Sequence, residues 1–250
     1  MIEKVLGHLS FAAIKAGATI PGLNRLQQYS QWSYFRNLLI RLKINCVIDV
    51  GANRGQFARN VRRSGYNGRL LSFEPNREDF VQLSNLTKND KLWRVSNIAL
   101  GNENAERPFH VTKTTLFNSF LDPIRMNPSF TVSGMDVVRT DTVQVKRLDS
   151  IMAELVEAIS EPRVFLKLDT QGFDLEVVRG AEKCMDTIVG LQSELSVTPI
   201  YEHIPHYLEA LDYYESLGFS LMNLFTVNRT NQQSILEYDC LMARLDQLDG

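Results

Sequence analysis

VIDVGANRGQF (residues 47–57) decides how this chain is read. A short apolar run reaches an acid, Asp49, then a loop spaced by Gly51 and Gly55, then residues fit to begin a helix. A parallel strand has this order where its C-terminal end opens onto a small-molecule site. The loop alone would be a weak signal. A second apolar run, LLSF (residues 70–73), ends in Glu74-Pro75, where a ribose-binding acid belongs, and makes the pair informative.

Outward from this centre the chain alternates strands and helices. Strands are predicted near residues 46–50, 69–73, 92–98, 163–169 and 187–195, and helices near 54–64, 77–88, 147–158, 174–184 and 206–217. Apolar strands separated by amphipathic helices specify a parallel sheet covered on both faces. The end differs. Residues 219–225 and 234–243 flank a polar segment too short for a crossover helix, so they are expected to pair as an antiparallel hairpin. The fold class is therefore α/β: the Rossmann-like class I methyltransferase variant of the doubly wound plan, a mainly parallel seven-stranded sheet with a C-terminal hairpin. Residues 46–250 form that domain. Residues 1–45 form a helical lead-in, with Trp32, Phe35, Leu38, Leu39 and Leu42 on one apolar face. Residues 102–146, punctuated by Pro108, Pro123, Pro128 and Gly134, interrupt the rhythm as an insertion with strand-like pieces at 108–112 and 141–146.

The 250 residues suffice for one core, and 44% hydrophobic with 22% charged residues is ordinary for a folded chain. A net charge of −2 gives no general attraction to nucleic acid. Cys46, Cys184 and Cys240 are far apart in apolar segments and read as core thiols of a reducing compartment, so the cytoplasm is the expected location. The N-terminus, with Glu3 and Lys15 cutting its apolar stretch, fits neither a signal peptide nor a transmembrane span. Ile2, Val5, Leu6, Leu9 and Ala13 recur at helical spacing, consistent with a helix on the domain or a peripheral membrane contact.

The loop and the two acids fit an adenosine-bearing cofactor. Gly51 and Gly55 let backbone approach a ligand, and Glu74 can accept both ribose hydroxyls. NAD and S-adenosylmethionine both satisfy this, and two features separate them. Neither the middle nor the last glycine of G-x-G-x-x-G is present, and Asp49 immediately before the turn would repel a pyrophosphate while complementing a methionyl ammonium. At the third strand's end, Asn97 or the backbone around Ala99 is placed to read an adenine edge, or Asn97 satisfies a turn.

The ordered set VIDVGANRGQF (47–57), LLSFEPN (70–76), NIALG (97–101), VFLKLDTQGFDLEVVRGA (164–181), LQSELSVTPIYE (191–202) and LEYDCLMAR (236–244) resembles the FkbM family of S-adenosylmethionine-dependent methyltransferases. The resemblance implies a class I methyltransferase fold, O-methylation of a sugar or natural-product hydroxyl, and Asp49, Gly51, Asn53, Gly55 and Glu74 as cofactor residues. Members often carry a serine-rich segment where this chain reads LFNSF (116–120), so only Asn118 and Ser119 remain of it.

Methyl transfer to an unactivated hydroxyl needs alignment, exclusion of water and a proton acceptor. Asp169 falls at the tip of the fourth parallel strand and Glu194 near the end of the fifth, facing one crevice. Three roles compete for Asp169: general base with Glu194 orienting the acceptor, joint ligand of a divalent cation, or structural partner of Lys167 or cap of the helix starting near residues 172–174. His203 and His206 form H-x-x-H, but Pro205 prevents a regular helix across it, so His203 is carried as a candidate base and no metal ligand set is assigned. Tyr201 and Tyr207 are candidate walls for a sugar. Arg54, Arg59, Arg62 and Arg63 form a solvated basic face or attract an anionic acceptor. The resulting expectation is an O-methyltransferase acting on a small-molecule or glycan hydroxyl and not on nucleic acid. A nicotinamide-dependent oxidoreductase and a non-catalytic nucleotide-binding module are the alternatives.

Overall fold

The computed structural model describes Lys15 and residues 23–124 and 132–248. The helical pattern at residues 2–13 and Pro128 lie outside the described residues. Helix α1 (Leu23–Arg41) leads into β1 (Cys46–Val50), α2 (Gln56–Arg63), β2 (Arg69–Phe73), α3 (Arg77–Leu86) and β3 (Trp93–Ser96). Then come β4 (Ala99–Leu100), β5 (Ala105–Thr112), a 3-10 turn at Thr115–Phe117, and β6 (Val137–Lys146). The chain continues through α4 (Leu148–Val156), β7 (Val164–Leu168), α5 (Asp174–Arg179), a second 3-10 turn at Glu182–Thr187, and β8 (Ile188–Ser196). Helix α6 (Tyr207–Ser216) and the hairpin β9 (Ser220–Arg229) and β10 (Ile235–Ala243) close it.

Seven strands form one sheet in the order β3-β2-β1-β7-β8-β10-β9, parallel through β8 and antiparallel in the hairpin. All five residues of β1 are buried, as a strand covered on both faces requires. The two-residue period divides them. Ile48, Leu71 and Leu166 face the core formed with α4, α5 and α6, whereas Val47, Leu70 and Phe165 face α1, α2 and α3. Fully burying a side chain such as Leu166 stabilises the fold by about 1.5–3 kcal/mol. The apolar face of α1 packs here, with Phe35 edge-on to Phe165 at 5.1 Å between ring centroids.

The insertion forms a second sheet, β4-β6-β5. The third strand is thus shorter than the 92–98 pattern suggests, because Ala99 and Leu100 turn away to pair with Val145 and Lys146. The expected helix over 174–184 breaks after Arg179. There Gly180 lets the backbone pass so close to Gly101 that an added Cβ would lie 1.9 Å from its carbonyl oxygen. Beyond the 3-10 turn the insertion folds back and is stitched to the loop after β8. Ile124 N–H donates to Ile200 O at 2.9 Å and Glu202 N–H donates to Asp122 O at 2.8 Å.

Candidate functional site

The strand order reverses between the parallel neighbours β1 and β7, and a cleft of about 380 Å3 opens outside their carboxyl ends. Gly51 makes this junction. Its φ is +73°, and a Cβ there would lie 2.0 Å from Asp169 O, so only glycine lets the two strand tips meet. Gly51, Asn53, Glu74, Ala99, Asp169 and Glu194 all line the cleft, so six of the residues proposed from sequence come together.

Glu74 stands at the end of β2. Its Oε2 accepts the Asn53 N–H at 2.7 Å and its Oε1 the Asn76 N–H at 2.7 Å. Burial pushes its carboxyl up to about 7, against the pull of these two amides. Asn53 adopts a left-handed φ of 46° and ties its own amide nitrogen to Thr115 Oγ1 at 3.2 Å, which draws the insertion over the loop. Phe73, Ala99, Leu100 and Phe109 supply an apolar wall.

Four of the expected residues do not line the cleft as anticipated. Asp49 is fully buried beneath the floor, where Lys167 Nζ lies 3.1 Å from Oδ1 and the Ser72 hydroxyl donates to Oδ2 at 3.3 Å. Its carboxylate is paired with the lysine across the strands. Gly55 faces the packing of α3 and β3, since an added Cβ would meet Leu83, Leu86 and Trp93. Asn97 spends its amide on the carbonyls of Glu74 and Pro75, both at 2.9 Å, and so braces a turn. His203 is exposed in a turn with φ 59° and is not among the residues that line the cleft. Its neighbour His206 caps α6. Tyr201 is buried and Tyr207 packs on the core, so neither offers a stacking wall.

The far end of the cleft is acidic. Asp169 keeps 43% of its side chain exposed, and Lys167 Nζ lies 3.3 Å from its Oδ2. Burial opposes the lysine charge, but Asp169 and Asp49 outweigh it and hold the ammonium above the ordinary lysine range. Asp169 does not cap the helix that follows; Phe173 stands at the N-cap with no side-chain cap, and Asp174 at the first helical position ties the strand tips together. That carboxylate accepts from Thr170 N at 2.9 Å, Ser193 Oγ at 2.7 Å and Glu194 N at 3.2 Å.

Three cleft residues escaped sequence reasoning: Gln171, Asn228 and Glu237. Asn228 Nδ2 donates to Glu237 Oε2 at 2.8 Å across the closing hairpin. An acid buried in an otherwise apolar strand was the available signal for Glu237. Gln171 Nε2 donates to Asp169 Oδ1 at 3.1 Å and to Glu194 Oε2 at 2.8 Å. A donor group thus sits between the two carboxylates, where a shared cation would have to sit. Among the described residues, no group of three or more His, Cys, Asp or Glu side chains is arranged to hold a metal.

Among the described residues, no helix is long and apolar enough to cross a membrane. These residues suit a ligand with an adenosine at the Glu74 end and positive charge toward Asp169. S-adenosylmethionine has that form. Three solved structures are similar to this chain: an rRNA methylase from Streptococcus thermophilus, precorrin-6y C5,15-methyltransferase from Geobacter metallireducens GS-15, and magnesium protoporphyrin IX methyltransferase from Synechocystis PCC 6803. The first shares 13% identity over 85% of this chain and 95% of its own, with a TM-score of 0.43. The second shares 11% over 82% and 85%, with a TM-score of 0.41. The third shares 8% over 88% and 81%, with a TM-score of 0.45. No curated protein matches the chain. The family model of the methyltransferase FkbM domain matches residues 49–221, which covers β1 through the start of β9 and sets aside the nicotinamide-dependent alternative. This chain belongs to the FkbM family of S-adenosylmethionine-dependent methyltransferases.

Proposed function

We propose that this protein is an O-methyltransferase that methylates a sugar hydroxyl in a glycan or a glycosylated natural product, with Asp169 as the general base. The observation that carries this reading is the Asp169 carboxylate itself: open to the cleft, at the sheet's switch point, and paired with a buried lysine. Residues 46–250 form the catalytic domain, residues 1–45 a helical lead-in, and the 102–146 insertion shapes the acceptor end. Three free thiols, Cys46, Cys184 and Cys240, support a cytoplasmic setting.

Glu74 would hold the ribose hydroxyls, Gly51 and Asn53 the methionyl end, and Ala99 with Leu100 the adenine. When bound, the cofactor supplies a methyl group on a sulfonium sulfur, which keeps the bonding electron pair on leaving. Asp169 takes the proton of the acceptor hydroxyl as its oxygen bonds to the methyl carbon, and Glu194 orients that oxygen. General-base assistance of this kind contributes about 10^2–10^4-fold. A small-molecule or glycan acceptor is favoured over nucleic acid because Asp169, Glu194 and Glu237 face the cleft and, among the described residues, no Lys, Arg or His lines it. A phosphate-bearing acceptor is disfavoured for the same reason.

Labelled-methyl transfer into a fractionated cell extract tests the reading. The label should enter a carbohydrate fraction as an alkali-stable ether. Asp169→Asn should lower transfer about 100-fold or more while leaving calorimetric affinity for S-adenosylhomocysteine within about threefold. Label recovered in nucleic acid, or undiminished transfer by Asp169→Asn, would defeat it. Cofactor binding with no transfer to any fraction would favour the non-catalytic module.

A further inference from the structure

Asp169 and Glu194 stand at the ends of neighbouring strands, and β7 and β8 alone do not fix the distance between their carboxylates. Gln171 does. Its φ is 53° and that of Gly172 is 93°, so the chain doubles back directly after the strand tip. The side chain therefore returns over Asp169 instead of continuing outward. Its Nε2 spends one hydrogen on Asp169 Oδ1 and the other on Glu194 Oε2. Two carboxylate acceptors on the other side place the amide nitrogen toward them, and the Oε1 of Gln171 lies 3.0 Å from the hydroxyl of buried Tyr201, whose single hydrogen is shared with Phe117 O at 2.9 Å. The backbone is tied as well, because the Ser119 hydroxyl donates to Gln171 O at 2.8 Å. One residue thus joins the tips of β7 and β8, the insertion and the loop after β8.

We propose that Gln171 is the positioning residue of this site, whose amide holds Asp169 and Glu194 as one acid–base pair facing the acceptor. This rests on Asp169 as the base. Two carboxylates sharing a site do not both keep their charge cheaply, and their surroundings here are unequal. Asp169 has the Lys167 ammonium, while Glu194 faces Asp169 from β7, Asp174 from α5, and Glu237 and Asp239 from β10. Burial and those charges push Glu194 well above the usual carboxylate range, which favours its protonated form. A neutral amide can donate to a charged carboxylate on one side and to the carbonyl oxygen of a protonated one on the other. With Oε2 occupied by Gln171, a protonated Glu194 would have its O–H free to donate toward the acceptor while Asp169 receives the acceptor's proton. The division of labour follows the general pattern in which unequal environments assign acid and base.

The test does not need the acceptor. Protein carrying 13C-labelled carboxyl groups is titrated by NMR, with the Glu194 signal assigned through Glu194→Gln. Gln171→Met, close in volume and without the donors, should move the Glu194 midpoint upward by about one pH unit, a tenfold gain in proton affinity. Affinity for S-adenosylhomocysteine should stay within about threefold of wild type. A merely structural role would lower the melting temperature and leave that midpoint in place, which would overturn the proposal. Parallel loss of S-adenosylhomocysteine binding would overturn it too, by placing Gln171 in the cofactor site. Should Gln171→Met fail to fold, Tyr201→Phe removes the hydroxyl beside the amide, together with its bond to Phe117 O. It should move the same midpoint in the same direction by a smaller amount, and no movement there would be decisive against the idea. Undiminished turnover in Asp169→Asn would remove the base and not touch this titration, so the two failures are separable.

Discussion

The two ends of the cleft are built on different principles. The cofactor end comes from residues 51–53 and 74–76, and its key carboxylate, Glu74, is fixed by backbone amides of Asn53 and Asn76. The acceptor end draws Asp169, Gln171, Glu194, Asn228 and Glu237 from β7, β8, β9 and β10 and the loops between them, and it is held by side chains. Backbone-built sites survive changes elsewhere in the fold, whereas a side-chain network fails or is retuned by one substitution. On the proposed reading, one end keeps a single cofactor while the other can change its acceptor.

Gly51 is where the two ends touch, so its replacement should have the largest effect. In Gly51→Val a β-branched side chain meets a left-handed φ and a carbonyl 2.0 Å from its Cβ. We expect a loss of about 5 kcal/mol, enough to leave little folded protein in a urea titration. A folded Gly51→Val that still bound S-adenosylhomocysteine would show that the ends are not joined there. Lys167→Met comes next. It strands Asp49, whose side chain is wholly buried, and should cost about 3–5 kcal/mol. Asp49→Asn combined with Lys167→Met should recover much of this, and strict additivity would break the claim that the lysine serves both strand tips.

A smaller effect separates the two ends by pH. Glu74, raised to about 7, takes up a proton on folding, so its contribution to the stability of the ligand-free protein is full below the ordinary carboxylate range and fades as pH rises through about 7. Asp239, pushed to about 7 by burial and the Asp169 charge, acts in the same sense. The ligand-free melting temperature should therefore rise between pH 8 and pH 6. Ribose hydroxyls donate to an ionised Glu74, so S-adenosylhomocysteine affinity should fall over that interval, approaching about tenfold per pH unit below 7. Glu74→Gln should bind more weakly and lose the pH dependence. Equal pH dependence in wild type and Glu74→Gln would move the titrating group to the acceptor end.

The same contrast explains what could be read from the sequence. The strand-loop-helix unit around Gly51 and the acid at 74 are local patterns, and the alternation of strands and helices located the sheet to within a few residues. The hairpin was legible because residues 226–233 cannot hold a crossover helix. Asp169 and Glu194 were visible as strand-tip acids. Glu237 and Asn228 were not, because they enter the cleft only through the β8-β10-β9 order, which antiparallel closure imposes at long range. Gln171 was hidden by a two-residue left-handed turn, for which Gln-Gly is a faint signal. The pairing of Asp49 was hidden because its partner, Lys167, sits directly across in the β1–β7 register, and one strand read alone does not reveal its neighbour.

The smallest expected effect concerns His203, and it checks the boundary of the acceptor end. Histidine after a strand in a cleft-forming loop invites a catalytic role, but this side chain is exposed and is not among the residues that line the cleft. Its φ of 59° carries a steric cost that glycine would not bear, while glycine adds freedom to the unfolded chain. The two terms oppose each other, so His203→Gly should change stability by less than about 0.5 kcal/mol in either direction. Methyl transfer into the accepting extract fraction should be unchanged across the pH range. A fall of about tenfold or more with cofactor affinity intact would mean that the loop after β8 closes over the acceptor, and the acceptor end would then include residues that the open cleft leaves outside.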